Sequence, residues 1–228
     1  REENRKSFQQ FTEKMVLSVF LRLGFLMLKR YLKYSSLILV SIFIVGCAKS
    51  LISLETRIDL PSIPMYGLTT ERFFYVDKPV SDSLKLLWTS SANGSFTNAY
   101  PVRYGDYLFV NDLSGRIYSY ELLTGKRKGQ LNHRSGAVYT SPVIYRLQII
   151  FAVTSIRNNQ STLYFYDFSK GTVINEIPIE GKVLTDLIPF DDSILLFTDE
   201  GTLFSFDYYG KEKWKVKTDA RIRSLVSA

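Results

Sequence analysis

The chain has 228 residues, of which 46% are hydrophobic and 14% aromatic, enough for a packed core and too many for a disordered chain. Its net charge of +7 is unevenly placed: residues 1–46 carry eight Lys/Arg against three Glu (+5), and the remaining 182 carry 21 against 19 (+2). A nucleic-acid binder concentrates positive charge on its folded domain, where phosphates are gripped, so the leader-biased charge argues against that class.

Residues 1–26 precede a methionine, Met27, and no function is assigned to them. From Met27 the sequence runs MLKRYLKYSSLILVSIFIVGCAKS. Lys29, Arg30 and Lys33 form a positive n-region, and the 13 uncharged residues 34–46 are too short for a comfortable bilayer span but suit a signal h-region. Ile44, Val45 and Gly46 then lead into Cys47, the single cysteine of the chain. One cysteine excludes an internal disulfide framework.

Residues 48–83 hold Pro61, Pro64 and Pro79 with no sustained period, a composition that predicts a tether with a short strand at 73–76. Residues 84–90 (LKLLWTS) predict a strand ending at Trp88, belonging to a blade whose other strands lie outside the sequence. Three similar units follow. Residues 115–129 (GRIYSYELLTGKRKG), 161–175 (STLYFYDFSKGTVIN) and 201–214 (GTLFSFDYYGKEKW) each read as strand, acid-led turn, glycine and second strand. Their turn glycines, Gly125, Gly171 and Gly210, are 46 and 39 residues apart, the repeat length of β-propeller blades. Only the third unit keeps a tryptophan, Trp214; Gly129 lies near its place in the first unit, and the second lacks it too.

The expected fold is therefore all-β. It is a partial β-propeller of about three four-stranded antiparallel blades plus the start of a fourth at 223–228, after a helical leader. The expected organisation is 1–46 leader and signal peptide, 47–83 lipidated cysteine and tether, and 84–228 propeller repeats, incomplete at the C-terminal end. An open arc of blades exposes apolar surface at both ends, so more blades are expected in the native protein.

His133 is the single histidine, in an inter-blade loop, and is expected to be solvated or to cap the chain. With one histidine and one cysteine, Ser-His, Cys-His and multi-histidine metal chemistry lack material. The carboxylate pairs Asp191-Asp192 and Asp199-Glu200 lie at turn positions, where turn chemistry explains them. The Lys126-Arg127-Lys128 run reads as a solvated strand edge.

The signal box Ile44-Val45-Gly46-Cys47 resembles that of bacterial lipoproteins, in which the peptide is cut before the cysteine and its thiol and amino group are acylated. Several chains together anchor a protein stably. Ala48 does not match the aspartate that marks inner-membrane retention in enteric-type sorting, which implies the outer membrane, facing the periplasm, in a host with that machinery. The repeats resemble the quinoprotein (PQQ-like) repeat, Gly-x-Leu-x-x-aromatic-Asp-x-x-x-Gly-x-x-x-Trp. One branch of that superfamily uses pyrroloquinoline quinone and calcium to oxidise alcohols or sugars; no clustered carboxylates stand out as its ligands here.

Signal, tether and blades together resemble the BamB family of outer-membrane barrel-assembly lipoproteins. That resemblance implies a cofactor-free scaffold that contacts the barrel subunit BamA, with no small-molecule substrate. The loop matching the family's BamA-contacting loop is 217–224, where Arg221, Ile222 and Arg223 offer two guanidinium groups and one aliphatic side chain. Here the loop is shorter than in the family, and Ile222 replaces a leucine. The alternatives are a lipid-anchored propeller that binds another envelope protein or a glycan, and a quinone-dependent oxidoreductase.

Overall fold

The computed structural model describes residues 51–55, 62–65, 67, 83–96, 99–133 and 136–221. The leader, Cys47, the expected strand at 73–76, Ile222, Arg223 and the start of a fourth blade lie outside them. Every described element is a strand. β1 (Ser62–Ile63), β2 (Val102–Tyr104), β3 (Tyr107–Asp112), β4 (Arg116–Glu121) and β5 (Arg127–Asn132) form one antiparallel sheet in that order. β6 (Gly136–Ala137) and β7 (Val143–Tyr145) both pair with β8 (Gln148–Ser155), which continues through β9 (Gln160–Asp167) to β10 (Thr172–Glu180). β11 (Ile188–Phe190), β12 (Ser193–Phe197), β13 (Thr202–Asp207) and β14 (Glu212–Lys217) make the third sheet. These are the three expected four-stranded blades, the repeat units 115–129, 161–175 and 201–214 falling on β4–β5, β9–β10 and β13–β14.

The alternation of apolar and polar side chains places one buried layer between neighbouring blades. Phe109, Ile117 and Leu131 of blade one meet Ile149, Phe151 and Tyr166 of blade two in one core. Ile150, Leu163 and Phe165 of blade two meet Ile194, Leu196 and Phe206 of blade three in the other. Tyr145 and Tyr208 stack across this second boundary at 3.8 Å and 7°.

The first strands of successive blades lie toward one another and are linked in sequence. The Tyr100 amide donates to Ser141 Oγ at 2.8 Å, and the Ser141 amide donates to Asp186 Oδ1 at 2.6 Å. These three residues occupy the same place in their blades, one residue before Pro101, Pro142 and Leu187.

Two expectations need correction. Residues 84–90 form no strand: Leu84, Leu86 and Leu87 are exposed and pair with nothing in a sheet, because no described strand runs beside them. Nor are the described parts of 47–83 a free tether. β1 adds a fifth strand to blade one, the Ile144 amide donates to Pro64 O at 2.8 Å, and Ile52, Leu54 and Met65 are buried. Scattered prolines and absent periodicity disguised this packing, in which Ile52 and Leu54 are buried and alternate with exposed neighbours.

Candidate functional site: the blade boundaries and the loop after Trp214

The turn glycines explain what the repeats are for. In blade one the β4–β5 turn places Gly125 at φ +67°, a conformation that favours glycine. A Cβ there would lie 2.4 Å from the Trp88 ring. Trp88 thus lies flat on the turn, donates Nε1–H to Leu122 O at 2.8 Å, and stacks on Tyr120 at 6.2 Å. The Tyr120 hydroxyl donates to Ser91 O at 3.1 Å, tying the same chain segment a second time.

The equivalent turn of blade two has Gly171 at φ +71°, and no tryptophan lies on it. Residues 51–55 do. The Leu54 amide donates to Phe168 O at 2.8 Å, and the Tyr166 hydroxyl donates to Ile52 O at 2.8 Å. Phe168 and Tyr166 stand one residue after and one before the turn acid Asp167, as Leu122 and Tyr120 flank Glu121. Burial, and then the Asp167 charge, push the Tyr166 hydroxyl up to about 12, so it remains a protonated donor at neutral pH.

At the third boundary Asn175 takes the tryptophan's position. Its Nδ2 donates to Tyr209 O at 3.1 Å and would be 2.7 Å from a Cβ on Gly210.

Blade three ends the described structure. β14 is exposed along its whole length, with Trp214 at 43% exposure, and Lys213 pairs with Asp192 while Lys217 reaches Glu200 at 3.9 Å. The loop beyond is fixed at its root: the Thr218 amide and Oγ1 both donate to Gly201 O, at 2.9 and 2.8 Å. Arg221, one of three residues expected to meet a partner, is exposed at the end of this loop. Asp191-Asp192 and Asp199-Glu200 do lie at turns, as expected, with Asp199 Oδ1 accepting the Lys182 amide at 3.0 Å.

His133 differs from expectation. Its ring packs on Tyr164 at 4.3 Å and Phe151 at 5.3 Å, and burial pushes its pKa down, so it is a neutral ring wedged between blades rather than a solvated one. The signal was its place between two apolar blades, which a lone histidine does not reveal in sequence. Asp112 was also missed. It is fully buried at the β3–β4 turn and accepts from the amides of Gly94, Ser114 and Arg116 and from the hydroxyls of Ser114 and Tyr118. Burial raises its pKa, but these donors outweigh it and hold the carboxyl below the usual aspartate range.

No protein-family model and no curated protein matches the chain. Solved structures do. A quinohemoprotein alcohol dehydrogenase from Pseudomonas putida superposes on 74% of the chain with a TM-score of 0.58 at 14% identity. A europium-containing methanol dehydrogenase covers 68% with a TM-score of 0.54 at 13% identity. BamB from Moraxella catarrhalis covers 57% with a TM-score of 0.45 at 18% identity.

The described residues are three blades of a β-propeller.

The chain spans only 29%, 31% and 38% of those three proteins, respectively. The likeness to the dehydrogenases is one of fold, and it does not by itself carry a quinone–calcium site to this chain. Such a site needs several carboxylate and amide ligands converging on one ion. Among the described residues no three of His, Cys, Asp and Glu come together.

Proposed function

We propose that this protein is a non-enzymatic scaffold of the bacterial cell envelope, anchored by lipid on Cys47, that binds another protein through the loop after blade three. The reading places it at the outer membrane, facing the periplasm, in the manner of the BamB family. The observation that supports a contact loop is the presentation of Arg221: an exposed guanidinium on a backbone fixed to Gly201 through Thr218. A guanidinium held on ordered backbone pairs with a carboxylate at lower entropic cost than one on a free chain, and arginine is enriched at interface hot spots. The signal box Ile44-Val45-Gly46-Cys47 supports the anchor.

The test uses the tagged, full-length protein in its own host, crosslinked in intact cells and captured for mass spectrometry. The proposal expects BamA among the captured proteins, and its loss when Arg221 and Arg223 are both changed to glutamate. Capture of a different envelope protein or a glycan, unaffected by those changes, overturns the BamA assignment and the loop together. Palmitate labelling that persists in a Cys47→Ser variant overturns the anchor.

A further inference from the structure

We propose that the boundary between blades one and two is a binding groove for the chain's own segment 51–55, which stands in for the tryptophan that blade one lacks. Blade one carries Gly129 four residues after its turn glycine, where blade three carries Trp214. The space a side chain at 129 would fill is taken by backbone: a Cβ on Gly129 would lie 2.7 Å from Leu51 O and 2.8 Å from Ile52 Cα. The segment then crosses to blade two, where Ser53 Cβ comes within 3.4 Å of the position of a Cβ on Gly171.

The hydrogen bonds repeat those of the Trp88 boundary with different donors. There an indole N–H reaches Leu122 O, and here a backbone N–H reaches Phe168 O. There the Tyr120 hydroxyl holds Ser91 O, and here the Tyr166 hydroxyl holds Ile52 O. Ile52 and Leu54 are buried and alternate with exposed Leu51, Ser53 and Glu55, so the segment lies extended with its apolar side in the core shared by both blades. An aliphatic side chain, an extended backbone and a small residue beneath together cover what one indole covers elsewhere.

Cys47 lies four residues before Leu51. Whatever conformation those residues adopt, four steps of chain reach no more than about 14 Å.

Hydrogen exchange on the full-length protein tests the groove without reference to the lipid. The amides of 51–55 are expected to exchange at least about 100-fold more slowly than in an unstructured peptide. Changing Gly129→Trp is expected to expel the segment and abolish that protection while strands β8 and β9 stay protected. Should that variant fail to fold, Gly129→Ala meets the same backbone with a single methyl group and is read in the same way. Exchange of 51–55 at free-peptide rates in the unmodified protein, or protection unchanged in both Gly129 variants, overturns the proposal. Protection is expected to survive Cys47→Ser; if it does while membrane association is lost, anchor and groove are separate facts, and if association also survives, only the anchor reading falls.

Discussion

The boundary in front of blade one and the boundary between blades one and two solve one problem with different chemistry. Both cover a turn glycine, one with a ring and one with extended backbone, and both satisfy the carbonyl after the turn acid and the hydroxyl before it. The first uses one large side chain, half exposed, whose contribution is a ring contact and one indole hydrogen bond. The second uses a peptide whose Ile52 is 0% exposed. At these two boundaries the acceptors and the glycine are the same, and what fills them differs: an indole in one and a peptide in the other.

The two boundaries should break differently. Ile52→Ala removes a fully buried side chain from the core shared by two blades and is expected to lower the unfolding free energy by about 3 kcal/mol, measured by denaturant titration. At the other boundary the filler itself is only partly buried, and Trp88→Phe, which keeps the ring contact but loses the bond to Leu122 O, is expected to cost about 1 kcal/mol. The glycines reverse that order. Gly125→Ala must displace the Trp88 ring as well as adopt a positive φ and is expected to cost about 2–3 kcal/mol. Gly171→Ala meets only ordinary contacts at 3.4 Å and beyond, and is expected to cost about 1 kcal/mol from backbone strain alone. Equal costs at the two glycines would mean that the ring does not rest on Gly125.

The smallest separation is expected along the pH axis. Asp167, in the turn beneath segment 51–55, is raised by burial, but the Ser169 and Lys170 donors outweigh that and hold it below the ordinary aspartate range. Asp112 is held low in the same sense. A carboxyl with a depressed folded pKa contributes stability above its unfolded value, about 4, and that contribution disappears as pH falls through the folded value. Denaturation midpoints should therefore fall below about pH 4, with a shallower fall in Asp112→Asn. A midpoint that rises on acidification would contradict both assignments.

Much of this fold was legible because short strands, acid-led turns and glycines recur at nearly constant spacing. Strands β4, β9 and β13 start within about one residue of the repeat units at 115, 161 and 201 that alternation marked, as is usual for strongly patterned strands. The Trp88 position was legible as a repeat feature, but its partner was not: sequence placed it in a strand, whereas its ring rests on the following blade. Residues 51–55 were hidden for a different reason. Two buried side chains, Ile52 and Leu54, in a five-residue stretch carry too little periodicity to separate a docked peptide from a linker, and their partners are 114 residues away in the chain. Gly129 held the clue, since a glycine in place of a repeat tryptophan marks space that something else fills. Of the proposed contact loop, sequence supplied Arg221, and only the structure supplied the Thr218–Gly201 bonds that fix its root.

Proximity between Ser53 and Gly171 decides whether the chain's own segment fills the second boundary. Ser53 Cβ lies 3.4 Å from where a Cβ on Gly171 would stand, close to the Cβ separation of about 3.5–4.5 Å that a disulfide spans. Changing Ser53→Cys and Gly171→Cys in the full-length protein and oxidising it mildly in the folded state should join the two positions, read by intact mass and by a disulfide-linked peptide after digestion. The same pair with both thiols freely alkylated under native conditions, and no linked peptide, would show that the segment does not lie in the boundary.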